Sequence, residues 1–313
     1  MILDYFDSKL DGDSWEELCN SCYRMRYQEQ HFTEIPATYK GDAGIEGFTR
    51  TGVVNQCYYP EKDYSDDELY NHQRNKMTTD INKLLSNGGK LNKLGVPTIK
   101  EWHYVIPFYK DSRIVQHAET KKREVLEKKN NNPAQYAYID DDFSIIIKVA
   151  EDFKMEITRI IRNNLTDVKL NLAIRNAEIP NWEDCDSDKT SNIIRKVKAI
   201  RGADDDDEDL NMIVDFYIKA YIKGMEIFRV LRVSYAEVFE DIHGLEQSYK
   251  KQVAIQTRMN TQRSVNSSLF NEILSDFENK LVETCKYLPI ESIIELKTDI
   301  VSMWLADCTM QFK

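Results

Sequence analysis

The sequence predicts an α/β domain over residues 1–150, a mixed sheet flanked by helices, followed by an all-α domain over residues 151–313. Three observations lead there. Up to Ala150, short β-branched or aromatic runs alternate with segments of helical period, the pattern of strands interleaved with helices. Beyond Ala150 the strand signals stop, and every long segment carries apolar residues at helical spacing. The chain has 313 residues, 42% of them hydrophobic, which is enough material for two cores.

Taken in order, Ser14-Trp-Glu-Glu reads as a helix start. Ser14 is placed to cap, and Glu17 stands three residues on, as in a capping box. Trp15, Leu18, Cys19 and Cys22 then make an apolar stripe. His31 to Thr38 reads as a strand. Gly41 to Pro60 reads as two short strands joined by a tight turn, with the glycines of Gly44-Ile-Glu-Gly47 bracketing an acid. Asp66 to about Leu85 is helical, with Arg74, Lys76, Asp80 and Lys83 spread over its outer faces, and Asn87-Gly88-Gly89 is its stop signal. Trp102 to Pro107 is a compact strand, Ser112 to about Lys129 a helix, and Phe143 to Val149 a buried strand. The order is therefore helix, three strands, helix, strand, helix, strand.

In the second half, helical period covers Glu151–Asn164, Asn192–Ile200, Asp209–Ile242, Leu245–Met259, Val265–Leu288 and Pro289–Ala306. Asp209–Ile242 reads as one long helix whose apolar side includes Phe216, Ile227 and Leu231. The acidic run Asp204 to Asp209 before it reads as a solvated loop.

No stretch approaches the ~18 apolar residues needed to span a bilayer. The first residues, MILDYFDSKLDGDSW, carry neither a basic nor an apolar region of the kind a secretion signal has, so a cytoplasmic location is the expectation, with no membrane partner. The six cysteines include one Cys19-x-x-Cys22 pair without a second pair at zinc spacing, which suits reduced, partly buried thiols. The net charge of −11 suits no free DNA binder, but it is unevenly spread. Met1 to Gln73 holds 6 Lys/Arg against 15 Asp/Glu, and Arg74 to Lys129 holds 13 against 6. A basic surface beside an acidic cation site suits a polyanion; a lysine-rich solvated helix pair gives the same count.

The chemistry concentrates in Gly41 to Pro60. Glu46 offers a carboxylate at a strand start, Gln56 an amide oxygen on the next strand, and Cys57 its peptide carbonyl. Glu16 can approach from the first helix. These are the hard oxygens that Mg²⁺ or Mn²⁺ takes, and such a cation serves phosphodiester hydrolysis. A nearby ammonium would offset developing negative charge. Lys76 is the best-placed donor, with Arg74 and Lys62 behind it.

A helix with Trp15-Glu16, then a strand, then Gly-Asp-Ala-Gly-Ile-Glu-Gly, then a strand ending Gln56-Cys57, resembles the PD-(D/E)xK nuclease superfamily. The similarity is to its Mrr-like branch and to nuclease domains of bacterial anti-phage effectors of the CBASS and Lamassu type. The resemblance implies a restriction-endonuclease-like first domain and a Mg²⁺-dependent endodeoxyribonuclease acting on double-stranded DNA in anti-phage or anti-plasmid defence. It implies Glu16, Glu46 and Gln56 as site residues and Asp42 as a flanking acid; with Lys76 as the candidate ammonium these make up the catalytic set, and Glu46, Gln56 and the Cys57 carbonyl the candidate metal ligands. Arg74 and Lys83, in the basic segment, are the candidate DNA contacts. One departure stands out: the motif lysine falls on Tyr58. Either Lys76 replaces it, or the chain is a degenerate nuclease fold serving as a DNA- or partner-binding scaffold. The tail, Val301 to Phe312, resembles the closing segment of components of defence systems built around an SMC-like ATPase. That implies an SMC-like ATPase and a small adaptor as partners. A double-strand break needs two sites, so self-association into a homo-oligomer is the expectation. The other reading of the tail is that Trp304, Leu305 and Phe312 close a helical core.

Overall fold

The computed structural model describes residues 1–36, 43–172, 187–202, 208–307 and 309–312. The chain divides into two compact units, Met1–Ile160 and Ile161–Lys313. The first is a five-stranded sheet with helices on both faces, and the second is helical. No helix among the described residues is long and apolar enough to cross a membrane.

In the first unit, α1 spans Gly12–Arg26. Asp11, not Ser14, caps it: the Ser14 amide donates to Asp11 Oδ1 at 2.8 Å, and the Asp11 amide donates to the Ser14 hydroxyl at 2.8 Å. An aspartate serves as well as a serine there, and its charge suits the positive end of the helix. The strands are β1 (Thr33–Glu34), β2 (Gly47–Phe48), β3 (Val53–Cys57), β4 (Ile99–Ile106) and β5 (Ile139–Val149). The strand expected from His31 to Thr38 is thus only two residues long, and its last two positions lie outside the described residues. Between β3 and β4 come α2 (Asp66–Ser86) and a short α3 (Gly88–Lys93); α4 (Arg113–Asn131) joins β4 to β5. The glycine pair ends α2 but does not end helical structure. Gly88 is instead required by packing, since a Cβ there would sit 2.2 Å from the Tyr138 ring.

The sheet order is β1-β2-β3-β4-β5. The first three strands run antiparallel and the last three parallel, with Val54 opposite Trp102 and Gln56 opposite Tyr104. Because side chains alternate along a strand, Val54, Trp102, Tyr104 and Ile106 share one face. They pack there with Met77, Ile81 and Leu84 of α2 and Ile114 and Ala118 of α4. The opposite face meets α1: Asn55 donates to Asn20 at 3.2 Å, Trp15 Nε1 donates to the Val105 carbonyl at 3.4 Å, and Tyr23 shares a 2.7 Å hydrogen bond with His103. The C-terminal end of β3, the central strand, therefore lies between α1 and α2.

After α5 (Lys154–Arg162), the second unit is built from α6 (Ser187–Arg201), α7 (Glu208–Ser234), α8 (Ala236–Met259), α9 (Asn266–Thr284) and α10 (Ile290–Ala306). The long helix expected over Asp209–Ile242 is broken. Tyr235 leaves helical geometry at φ −143°, ψ 58°, with its ring buried. The apolar period runs across the break because both helices bury residues in the same unit, so the sequence carries no mark of it. Phe216, expected on the apolar side, is 54% exposed. Residues 204–207 of the acidic run lie outside the described residues. Trp304, Leu305 and Phe312 are all buried. Trp304 packs 4.7 Å from Phe277 and donates to Glu246 Oε1 at 2.9 Å. Lys196 is wholly buried, and its ammonium donates to the carbonyls of Leu305, at 2.8 Å, and Asp307. A cation thus caps the negative end of α10.

Candidate metal centre

The turn before β2 is dictated by close packing. Gly44 has φ +84°, and a Cβ there would lie 2.4 Å from the Asp80 carbonyl of α2; no other residue fits. At Gly47 a Cβ would lie 2.3 Å from the Phe32 ring. Between these glycines Ile45 enters the core and Glu46 is held on both sides. The Glu46 amide donates to the Asn55 carbonyl at 2.8 Å, and the Glu46 carbonyl accepts from the Ile35 amide at 2.7 Å.

The Glu46 carboxylate then turns to β3. Oε1 accepts from Gln56 Nε2 at 2.5 Å, and Oε2 accepts from the Cys57 amide at 2.9 Å. Glu46 is 4% exposed and Gln56 1%. The Gln56 amide oxygen is buried and has no hydrogen-bond partner among the described residues, an expensive state for an acceptor. Strand residues two apart direct their backbone groups to the same edge. Since the Asn55 carbonyl meets Glu46, the Cys57 carbonyl points the same way.

Glu46, Gln56 and Cys57 open into a cavity of about 1060 Å³, whose wall also holds Glu16, Tyr58 and Lys76. Five of the residues expected at the site thus come together: Glu16, Glu46, Gln56, Cys57 and Lys76. Burial, reinforced by the charge of Glu16, pushes the Glu46 carboxyl up to about 8, against the pull of the Cys57 hydrogen bond and the Lys76 charge. Tyr58, at the position of the motif lysine, is a half-buried phenol that burial pushes up to about 12, so it carries no charge at neutral pH.

Lys76 reaches the cavity wall but is not idle. Its ammonium pairs with Asp80 at 2.6 Å, one helical turn on, and Lys83 approaches the same carboxylate at 3.3 Å. Asp80 is 0% exposed, which corrects its expected place on an outer face of α2. Its signal was the i, i+4 spacing from Lys76. Arg74 and Lys83 are not brought together. They stand nine positions apart on α2, which at 3.6 residues per turn places them on opposite sides. Arg74 lies over the Tyr70 ring at 5.8 Å, and neither residue lines the cavity. Lys62 does line it. Asp42 lies outside the described residues.

Among the described residues, no group of three or more His, Cys, Asp or Glu side chains has the geometry to hold a metal. The donor set here is different in kind: carboxylate, amide oxygen and peptide carbonyl. All are hard oxygens of the kind Mg²⁺ or Mn²⁺ takes, and the Gln56 oxygen has no hydrogen-bond donor among the described residues, so the set fits such a cation. A cation entering must displace the Glu46 proton. Calorimetric titration with Mn²⁺ at pH 7, in buffers of different ionisation enthalpy, should show release of about one proton. Affinity should rise as pH climbs toward 8 and level off above it. Proton-neutral binding would show that Glu46 is not a ligand.

No family model, no curated protein and no solved structure matches the chain.

Proposed function

We propose that the first unit is a divalent-cation-dependent phosphodiesterase acting on nucleic acid. One observation carries this: Glu46, Gln56 and Cys57 line one cavity with Glu16 and Lys76, the Glu46 carboxylate is held by the Gln56 amide and the Cys57 N–H, and the buried Gln56 oxygen has no hydrogen-bond partner among the described residues. Mg²⁺ in such a place polarises a phosphoryl oxygen and makes a water molecule acidic enough to attack. Glu46, Gln56 and the Cys57 carbonyl would hold it. Glu16, the second acid of the wall, would accept the proton of the attacking water. The Lys76 ammonium would offset charge on the phosphoryl oxygens, and its ion pair with Asp80 holds it in place.

The motif resemblance extends this to a DNA endonuclease effector of anti-phage or anti-plasmid defence, held inactive until self-association or a complex with an SMC-like ATPase and a small adaptor delivers it to DNA. A second reading, a cation-binding scaffold without turnover, draws on Tyr58 in place of a lysine and on the engagement of Lys76 by Asp80. The test is the purified chain with Mg²⁺ or Mn²⁺, alone and with the products of neighbouring genes, on labelled DNA. Cleavage by wild type and at least ~10³-fold less by Glu46→Ala is the expected result. Equal cleavage by both would remove Glu46 from the site, and cation binding without cleavage in any assembly would select the scaffold.

A further inference from the structure

Resting on that nucleic-acid reading, we propose that the strand entering the cavity is unpaired, and that Tyr59 and Tyr64 are platforms for its bases. The first reason is depth. The candidate ligands Glu46 and Gln56 line the cavity and are almost wholly buried. A scissile phosphate must descend to them. In a duplex each backbone is tied to its complement by base pairing, which limits how far one strand can enter alone. An unpaired strand has no such tie.

The second reason is the wall itself. The segment Tyr58-Tyr-Pro-Glu-Lys-Asp-Tyr64, between β3 and α2, lines the cavity with aromatic rings. Tyr59 is braced by the buried Trp15, with centroids 6.0 Å apart. Tyr64 stacks on His72 at 4.1 Å, with the Lys62 ammonium 5.3 Å from its ring. A ring held by a neighbour is pre-ordered to receive a base, and every base offers a π-face. The third reason is charge. Lys9, Lys62 and Lys110 on this wall are matched by Asp11, Asp13, Glu61 and Asp63. Counterion release contributes more to duplex than to single-strand binding, so a wall without a surplus of cations disfavours the duplex more. Affinity here must come from stacking.

The test is fluorescence anisotropy on the full chain with Ca²⁺ at physiological salt. The probes are labelled oligothymidylate and oligouridylate of about 15 nucleotides, within the site sizes such proteins cover, and a blunt duplex of equal length. The expected result is single-strand binding at least about tenfold tighter than duplex binding, with Tyr59→Leu and Tyr64→Leu each weakening it about tenfold. Tyr59→Phe and Tyr64→Phe should bind as wild type, and Mn²⁺ binding should be unchanged in all four, which separates a lost platform from a misfolded site. Either sugar satisfies the inference, and the tighter of the two names the substrate. Equal or tighter duplex binding, or leucine variants that bind as wild type, would overturn the inference and leave the phosphodiesterase standing. A chain that binds Mn²⁺ but neither single strands nor duplex would overturn both.

Discussion

Glu46→Gln is expected to stabilise the cation-free protein at pH 9 by about 2–4 kcal/mol while abolishing its response to Mn²⁺. The sign follows from the raised carboxyl. Between the ordinary value of 4.5 and about 8, the folded chain keeps a proton on Glu46 that the unfolded chain has lost. Wild-type stability therefore falls as pH rises through that window, and above it the folded state carries an uncompensated buried charge. Each tenfold change in proton affinity is worth about 1.4 kcal/mol, so the upper limit is near 5 kcal/mol, and local relaxation lowers it. Glutamine keeps an oxygen for the Cys57 amide and has no charge to bury. Urea denaturation at pH 4 and pH 9 checks this: the two proteins should be close at pH 4 and diverge at pH 9. A gap that does not grow with pH would show that the Glu46 charge is already compensated by the chain alone.

Trp304→Ala should cost the second unit about 4 kcal/mol, within the range for truncating a buried aromatic. Trp304 packs on Phe277 and Tyr249 and donates its only side-chain hydrogen bond to Glu246, a buried acid. Truncation opens a cavity and removes a partner from a buried carboxylate at once. Trp304→Phe restores ring contacts but not the hydrogen bond, so it should fall between. Thermal and urea unfolding of the full chain, followed by a probe in the helical unit, measure both. If the tail were instead a free surface for a partner, Trp304→Ala would melt as wild type and lose only the partner.

The sheet was legible in sequence wherever a strand is a run of β-branched or aromatic residues. Trp102 to Pro107 and Phe143 to Val149 mark β4 and β5, though β5 begins earlier, at Ile139, because three aspartates there hide the pattern. The site was legible because chemistry and backbone geometry coincide: the glycines of Gly-Ile-Glu-Gly are forced by Asp80 and Phe32, and the acid between them is the one that is buried. What pattern does not show is polar residues buried by neutralisation. Asp80 reads as surface because it is charged, yet two lysines of its own helix cover it. Lys196 is likewise buried, and its ammonium reaches the end of α10, about a hundred residues further along. The break at Tyr235 is silent for a related reason: burial continues on both sides of it, and period alone reports burial. The tyrosines of the cavity wall carry no period at all, since they lie on a loop.

In the proposed centre, Glu46, Gln56 and the Cys57 carbonyl hold a divalent cation. Isothermal titration of the metal-free chain with Mn²⁺ at pH 8 tests it most directly, run beside Glu46→Gln and Gln56→Leu. One site per chain is predicted, absent in Glu46→Gln and weakened about tenfold in Gln56→Leu, as expected when one ligand or its support is lost. Mn²⁺ binding of equal strength in all three proteins, or none in wild type, would contradict it.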